Sequence, residues 1–193
     1  METTSNPKRS QIIATGKELF WKFGFKRVTI EEIARETGVS KMTFYKYFPN
    51  KMKLAIVVLD EVFETSMENV RKLHDEHISP AETLKKILQL KSEGTRNISE
   101  EFIKDLYSYP EGELKAYMET KMQIMFAEII KVYEKGKEDG WIRKDLNIPF
   151  LMLFNRKIID LFTDDEMLHY FDSSQDLVME ITNLIVYGIS PHE

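Results

Sequence analysis

Cysteine is absent from this 193-residue chain, which excludes a disulfide framework, a thiolate metal site and a cysteine nucleophile. Histidine is scarce, with four in all. His74 and His77 stand at i, i+3 with Asp75 and Glu76 between them, a spacing able in principle to hold a metal. Two histidines alone do not make a site, and this pattern on a charged helix end is far more often solvated surface. His169 and His192 have no obvious partners. No Gly-rich phosphate loop, Ser-His-Asp arrangement or His-Glu-x-x-His string occurs. Catalysis is therefore not expected, nor any cofactor or metal. Also missing is an apolar run approaching the roughly 18–20 residues that a membrane span needs. The polar opening METTSNPKRS is not a signal peptide. A soluble, cytoplasmic chain with no membrane partner is the expectation.

What is present favours an all-α protein. Hydrophobic residues make up 42% of the chain, enough for a real core in one large or two small helical domains. Period-two alternation never persists long enough to suggest a sheet, and no internal repeat appears. Charge is divided unevenly. Residues 1–55 carry eleven Lys and Arg against five Asp and Glu, whereas the remaining 138 residues carry 16 against 27. A chain with net charge −5 thus presents one attractive face and one repulsive body to a polyanion.

The cationic third holds the most informative stretch, residues 29–51, TIEEIARETGVSKMTFYKYFPNK. Thr29 and Glu32 have capping-box spacing, in which each side chain satisfies an orphan backbone donor at a helix start. Ile30, Ile33 and Ala34 give that helix an apolar edge, and the small Ala34 lets a second helix cross closely. Gly38 is placed to stop the helix in a left-handed conformation. Val39 can plug the turn, and Ser40 is a good N-cap for a second helix. The pattern predicts a helix-turn-helix.

In the second helix Phe44 and Phe48, at i and i+4, share the face that packs on the first. Met42 and Lys46 lie roughly opposite, Thr43 and Tyr45 flank them, and Tyr47 sits near the edge of the packed face. Lysine and the hydroxyls can meet phosphates or base edges, and a methylthio group can contact a thymine methyl. Asn50 caps a third helix, and Lys51 puts a cation beside its free amides, a usual place for a phosphate. An ordinary helical hairpin with a solvated polar face would leave the two tyrosines unexplained. Expected DNA contacts are Thr29, Ser40, Lys41, Met42, Thr43, Tyr45, Lys46, Tyr47 and Lys51, with Lys41 and Met42 discriminating bases.

Across about residues 8–60, the opening helix with LFWKFGF and the string T-x-x-x-I-A-x-x-x-G-V-S-x-x-T-F-Y-x-Y-F-x-N-K resemble the TetR family of bacterial transcription regulators. The resemblance implies an all-α homodimer with an N-terminal DNA-reading domain and a C-terminal domain that binds a small inducer. Two departures stand out. Many relatives carry Gly or Pro in place of Met42. Glu31 occupies a position where some relatives place a base-contacting cation, so no contact is assigned to it.

The boundary is expected at 1–52 for the DNA-binding domain and 53–193 for a regulatory and dimerisation domain. Further helices are expected from Asn6-Pro7 to Gly24, from Asn50 towards His77, and from Ser79 to Leu90 or beyond. Others follow over Ile98–Tyr107, Glu113 to about Lys137, Ile148–Phe162 and Ser174–Tyr187, the last stopped by Gly188. Tyr109-Pro110-Glu111-Gly112 breaks the run, and Asp164–Phe171 is a weak segment. Lys8 and Arg9 are either a solvated tail or a contact to backbone or minor groove. In the body, Leu114, Met118, Met122, Met125, Ile129 and Val132 form one stripe, mostly core, part of which suits a ligand pocket. Tyr107, Phe126, Phe154 and Asn155 join Met118, Met122 and Met125 as the expected ligand residues. Asn155, a polar group within an apolar stripe, could anchor a ligand, pair across a dimer interface or bond within the protomer. Leu177, Ile181, Leu184 and Gly188 are the expected dimer face. The reading is a ligand-released repressor on a palindromic operator, held as a homodimer and responsive to an apolar small molecule. One alternative is a DNA-binding factor working through protein partners without an inducer. A metal-dependent enzyme built on the paired histidines would need further ligands converging on them.

Overall fold

The structure is a computed structural model that describes residues 6–75, 78–107, 112–158, 161 and 164–191, with all of their side chains except those of Val70, His74, Asp75 and Asp165. The described residues form helices α1 (Pro7–Phe23), α2 (Ile30–Thr37), α3 (Lys41–Tyr47), α4 (Lys51–Asp75) and α5 (Pro80–Gly94). They continue with α6 (Glu100–Tyr107), α7 (Glu113–Asp139), α8 (Ile148–Ile158), α9 (Asp165–Leu168) and α10 (Ser174–Ile189). There is no strand among them.

Local chemistry accounts for most helix ends. Pro7 occupies the start of α1, and the Asn6 side chain accepts from the Lys8 amide at 3.1 Å. Ser79 and Glu82 close a capping box at α5, again with proline in the first turn. Leucines and lysines carry α5 past Leu90 to Gly94. At α10 the outcome differs from expectation, because the helix runs through Gly188 to Ile189. Arg143 supplies the reason: its backbone N–H donates to the Ile189 carbonyl at 2.8 Å and its Nε to the Gly188 carbonyl at 2.9 Å. With donors brought from a neighbouring loop, the end needs no glycine reversal. Glu76 and His77, Tyr109 to Glu111, Ile159, Phe162 and His192 lie outside the described residues, as do the side chains of His74 and Asp75.

The expected boundary between residues 52 and 53 falls inside α4, which is continuous from the reading head into the body. One hydrophobic cluster follows it across. Ile12, Phe20, Phe25, Val28, Ile33, Phe44 and Phe48 share a core with Leu54, Val58 and Leu59 of α4, Phe102 of α6, and Leu114 and Met118 of α7. A second cluster gathers Trp141, Ile142, Leu146, Ile148, Leu151 and Ile189 at the far end. Between α4 and α7 the Tyr117 hydroxyl donates to Asp60 at 2.8 Å and Lys121 pairs with Asp60 at 2.6 Å, while Lys53 pairs with Glu113. Burial alone would raise the Asp60 carboxyl's pKa, but hydrogen bonds from Lys121 and Tyr117 outweigh it and hold it below its ordinary value.

Helix α6 seals the joint between head and body. Phe102 lies 4.4 Å from the Trp21 ring and 6.1 Å from that of Phe25, centroid to centroid. The Ser99 amide donates to the Trp21 carbonyl at 3.0 Å. The Asp105 carboxylate accepts from the Lys26 amide at 2.8 Å and pairs with that residue's ammonium at 3.4 Å. Gly24 makes the approach possible. Its φ is +74°, and a Cβ there would stand 2.6 Å from the Asp105 carboxylate. Asp105 is nearly buried, so Asp105→Ala would strip the Lys26 amide of its acceptor. Loss of about 1–3 kcal/mol is expected, read in urea unfolding as a lower midpoint with an unchanged slope; an unaltered midpoint would show that the joint does not depend on this bond.

Candidate nucleic-acid interface and ligand cavity

Helices α2 and α3 are fixed relative to each other by their caps. Thr29 accepts from the Glu32 amide at 3.1 Å while the Glu32 carboxylate accepts from the Thr29 amide at 2.8 Å. Gly38, at φ 72° and ψ 29°, reverses the chain in the left-handed region, its N–H bonding the Arg35 carbonyl. Ser40 then accepts from the Thr43 amide at 3.1 Å and starts α3. Phe44 and Phe48 are buried with rings 5.8 Å apart, which anchors α3 by one face.

The opposite face of α3 is open. Met42 is 85% exposed and Tyr45 52% exposed, the latter edge-on to Phe44 at 5.8 Å. Lys46 is exposed beside them, Thr43 is half-buried with its hydroxyl 3.0 Å from that of Ser40, and Tyr47 is half-buried against the core. Lys41 is exposed and ion-paired to Glu31, so an acidic side chain on this rim neutralises a neighbouring cation. That hydrogen bond lowers the Glu31 pKa and raises that of Lys41.

Lys51 has a structural job that its position in the sequence did not reveal. Its ammonium donates to the carbonyls of Lys26 at 2.9 Å and Val28 at 2.6 Å, tying the α1–α2 connection to the start of α4. Desolvation there lowers its pKa. Two of its three donors are thus committed inward, leaving one for an outside acceptor. Arg9 also has a partner, its guanidinium lying 5.4 Å above the Phe48 ring.

Behind the head, between α1, α4, α5, α6, α7 and α10, lies a cavity of about 250 Å³. Tyr107, Met118, Met122 and Met125, four of the residues expected around a ligand, line it. Phe126, Phe154 and Asn155 do not. Phe154 faces outward on α8, with its ring stacked on that of Phe150 at 6.2 Å. Asn155 lies beside Tyr133, whose hydroxyl pKa burial pushes up, and its Oδ1 is buried without a hydrogen-bond partner among the described residues. Trp21, Phe63, Lys91 and Phe102 line the cavity and were not anticipated. Lys91 had a readable signal: it follows Leu84 and Ile87 at seven and four residues, so a charge sits on the apolar stripe of α5.

On α10 the expected pairing face is corrected. Leu177 and Ile181 are buried within the protomer, at 1% and 9% exposure, while Leu184 and Tyr187 are each 67% exposed and Gly188 is also open. The buried stripe of α10 is rotated toward Val178, Val186 and Ile189, which leaves Leu184 and Gly188 on its outer edge. Phe150, Leu153 and Phe154 of α8 are exposed as well.

Residues 12–58 match the model of the bacterial regulatory proteins of the tetR family. An uncharacterized HTH-type transcriptional regulator of Bacillus subtilis, YerO, is 35% identical over 94 residues, covering 48% of this chain and 32% of the relative. The chain thus spans about a third of the length of that curated relative. Among solved structures, the fatty acid degradation regulator FadR from Bacillus halodurans superposes with a TM-score of 0.70 at 18% identity, over 96% of this chain and 98% of that one. The transcriptional regulator FadR from Bacillus subtilis, in complex with stearoyl-CoA, gives 0.66 at 21%, over 93% and 98%. These likenesses establish a shared fold along nearly the whole chain. Residues 12–58 thus carry a helix-turn-helix like that of the bacterial regulatory proteins of the tetR family.

Proposed function

We propose that this protein is a DNA-binding transcriptional repressor, acting as a two-fold dimer and released from a palindromic operator by an apolar small molecule. One observation carries the reading: the cavity in the body is walled by residues that also hold the reading head. Trp21 of α1 and Phe102 of α6 line the cavity and touch each other, and α4, which contributes Leu59, Val62, Phe63 and Ser66, continues into the head. A molecule that wedges these walls apart changes how the head is carried. The apolar lining suits a greasy ligand better than a sugar. The stearoyl-CoA held by the FadR neighbour shows that a protein of this fold accommodates an acyl chain.

On the DNA side, Met42, Tyr45 and Lys46 form the exposed ridge of α3, a shape suited to a major groove. Thr29, Ser40, Lys41, Thr43, Tyr47 and Lys51 surround it. Lys46→Ala should weaken binding to all sequences and make the salt slope shallower by about one unit, with stability unchanged because the side chain is exposed. Met42→Ala should instead relax preference at one or two base pairs. Lys51→Ala should lower thermal stability along with affinity, since two carbonyls lose their donor. Fluorescence anisotropy across a salt series, beside thermal unfolding, separates these outcomes. Unchanged affinity and salt slope in Lys46→Ala would remove α3 as the reading helix.

Half-sites about one helical turn apart demand two heads in fixed relation, and the outer faces of α8 and α10 are the surface for a second copy. Phe150, Leu153, Phe154, Leu184 and Tyr187 place five large apolar side chains in solvent there, and Gly188 lets a partner approach. Leu184→Glu would bury a charge in such an interface without disturbing the protomer core. The expected result in sedimentation equilibrium is a shift from dimer to monomer, accompanied by loss of operator binding. A wild-type monomer at micromolar concentration would overturn the assignment of this face.

A further inference from the structure

Among the described residues one thioether is exposed, and it stands on the face that would meet DNA. The chain has ten methionines and no cysteine, so no thiol stands ahead of the thioethers as a target for two-electron oxidants. All but Met1 are described. Met42 is 85% exposed, whereas Met67 and Met118 are buried and the other described methionines are half-buried. Its place on α3 explains the difference, because Phe44 and Phe48 anchor the helix by the opposite face. Two neighbours that could cover the side chain are engaged elsewhere. Lys41 pairs with Glu31, and the Tyr45 ring stands edge-on to Phe44.

We infer that Met42 is an oxidation site whose conversion to the sulfoxide by hypochlorous acid weakens DNA binding. This rests on α3 being the reading helix. The sulfur lone pair takes chlorine from the acid, and hydroxide leaves. Water then adds to sulfur and chloride departs, with two protons released, one of which neutralises the hydroxide. Sulfur has lost two electrons, chlorine has gained two, and the side chain carries one more oxygen. The product is polar, chiral and an acceptor only, where the thioether is flexible and apolar. A methylthio group suits a thymine methyl. A sulfoxide oxygen at that contact must shed its hydration, and it meets the acceptors of guanine and thymine with like polarity. No charge is added, so the phosphate contacts of Lys46 and its neighbours are untouched. Sulfoxide reductases return the thioether, which makes the change reversible.

The test uses the full chain and, as probe, a duplex that the protein selects from a random-sequence pool. After brief treatment with hypochlorite, peptide mass spectrometry should find Met42 oxidised about fivefold faster than Met52 or any methionine of the body. Affinity for the duplex should fall about tenfold with an unchanged salt slope, and methionine sulfoxide reductases should restore it. The slope separates this change from chlorination of lysines, which would remove phosphate contacts and make it shallower. In Met42→Leu, with its own untreated affinity as baseline, the same dose should cost at most about twofold. The inference is overturned if Met42 reacts no faster than the other methionines, if its oxidation leaves affinity unchanged, or if Met42→Leu loses as much as the wild type. If the protein selects no duplex, the DNA-binding reading itself falls and takes this inference with it, whatever the mass spectra show.

Discussion

The shared hydrophobic core is the constraint on which everything else in this molecule depends. A three-helix head of this size buries too little apolar surface to be very stable by itself, and here it does not stand alone. Leu54 and Val58 reach it from the first turns of α4, and Phe102 reaches it from α6. The joint is then closed by polar bonds that cannot be made elsewhere: the Lys26 amide on Asp105, the Ser99 amide on the Trp21 carbonyl, and the Lys51 ammonium on two loop carbonyls. Several of these would leave a part-buried donor or acceptor unsatisfied if the head pivoted freely. Head and body therefore move by repacking a common interface, which favours discrete positions over continuous swinging.

On the proposed function, this arrangement would give an effector two routes to the head. One is α4, whose cavity-facing Leu59, Val62 and Phe63 lie one to three turns beyond the residues that pack on α1. The other is α6, where Phe102 is at once a cavity wall and the neighbour of Trp21 and Phe25. The sequence pointed to the first route and missed the second. A continuous helix with no linker after Asn50 can be read from periodicity. The role of α6 depends on contacts between residues about eighty apart, such as Lys26 and Asp105, and no local pattern carries those.

The same division runs through the candidate interface residues. Thr29, Gly38, Ser40, Phe44 and Phe48 were legible because caps, a left-handed turn and an i, i+4 aromatic pair are local devices, and each is found where its spacing placed it. Lys51 was legible only in part, because a lysine at a helix start looks like a phosphate ligand and its second task, holding a loop 25 residues earlier, has no local signal. On α10 an apolar stripe was visible, but which edge of it faces inward is set by α5 and the second core cluster. Of the expected face, Leu177 and Ile181 are buried while Leu184 is exposed, and Tyr187, which was not part of it, is exposed beside Leu184. Methionine spacing in α7 located part of the cavity wall, yet Phe154 and Asn155 belong to other surroundings, because α8 turns its aromatic face outward.

Energetics limit how such a cavity can act as a switch. Moving the head from almost wholly operator-competent to almost wholly incompetent needs about 5.5 kcal/mol of differential affinity between the two states. Burying an eight-carbon tail contributes about 0.8 kcal/mol per methylene, or roughly 6 kcal/mol in all. Nearly all of that must therefore be lacking in the operator-bound state, so the cavity has to be largely closed there. A ligand that merely fitted both states would bind without effect. The side chains around this cavity are suited to closing it. Methionines on α7 have three rotatable bonds to fill a gap.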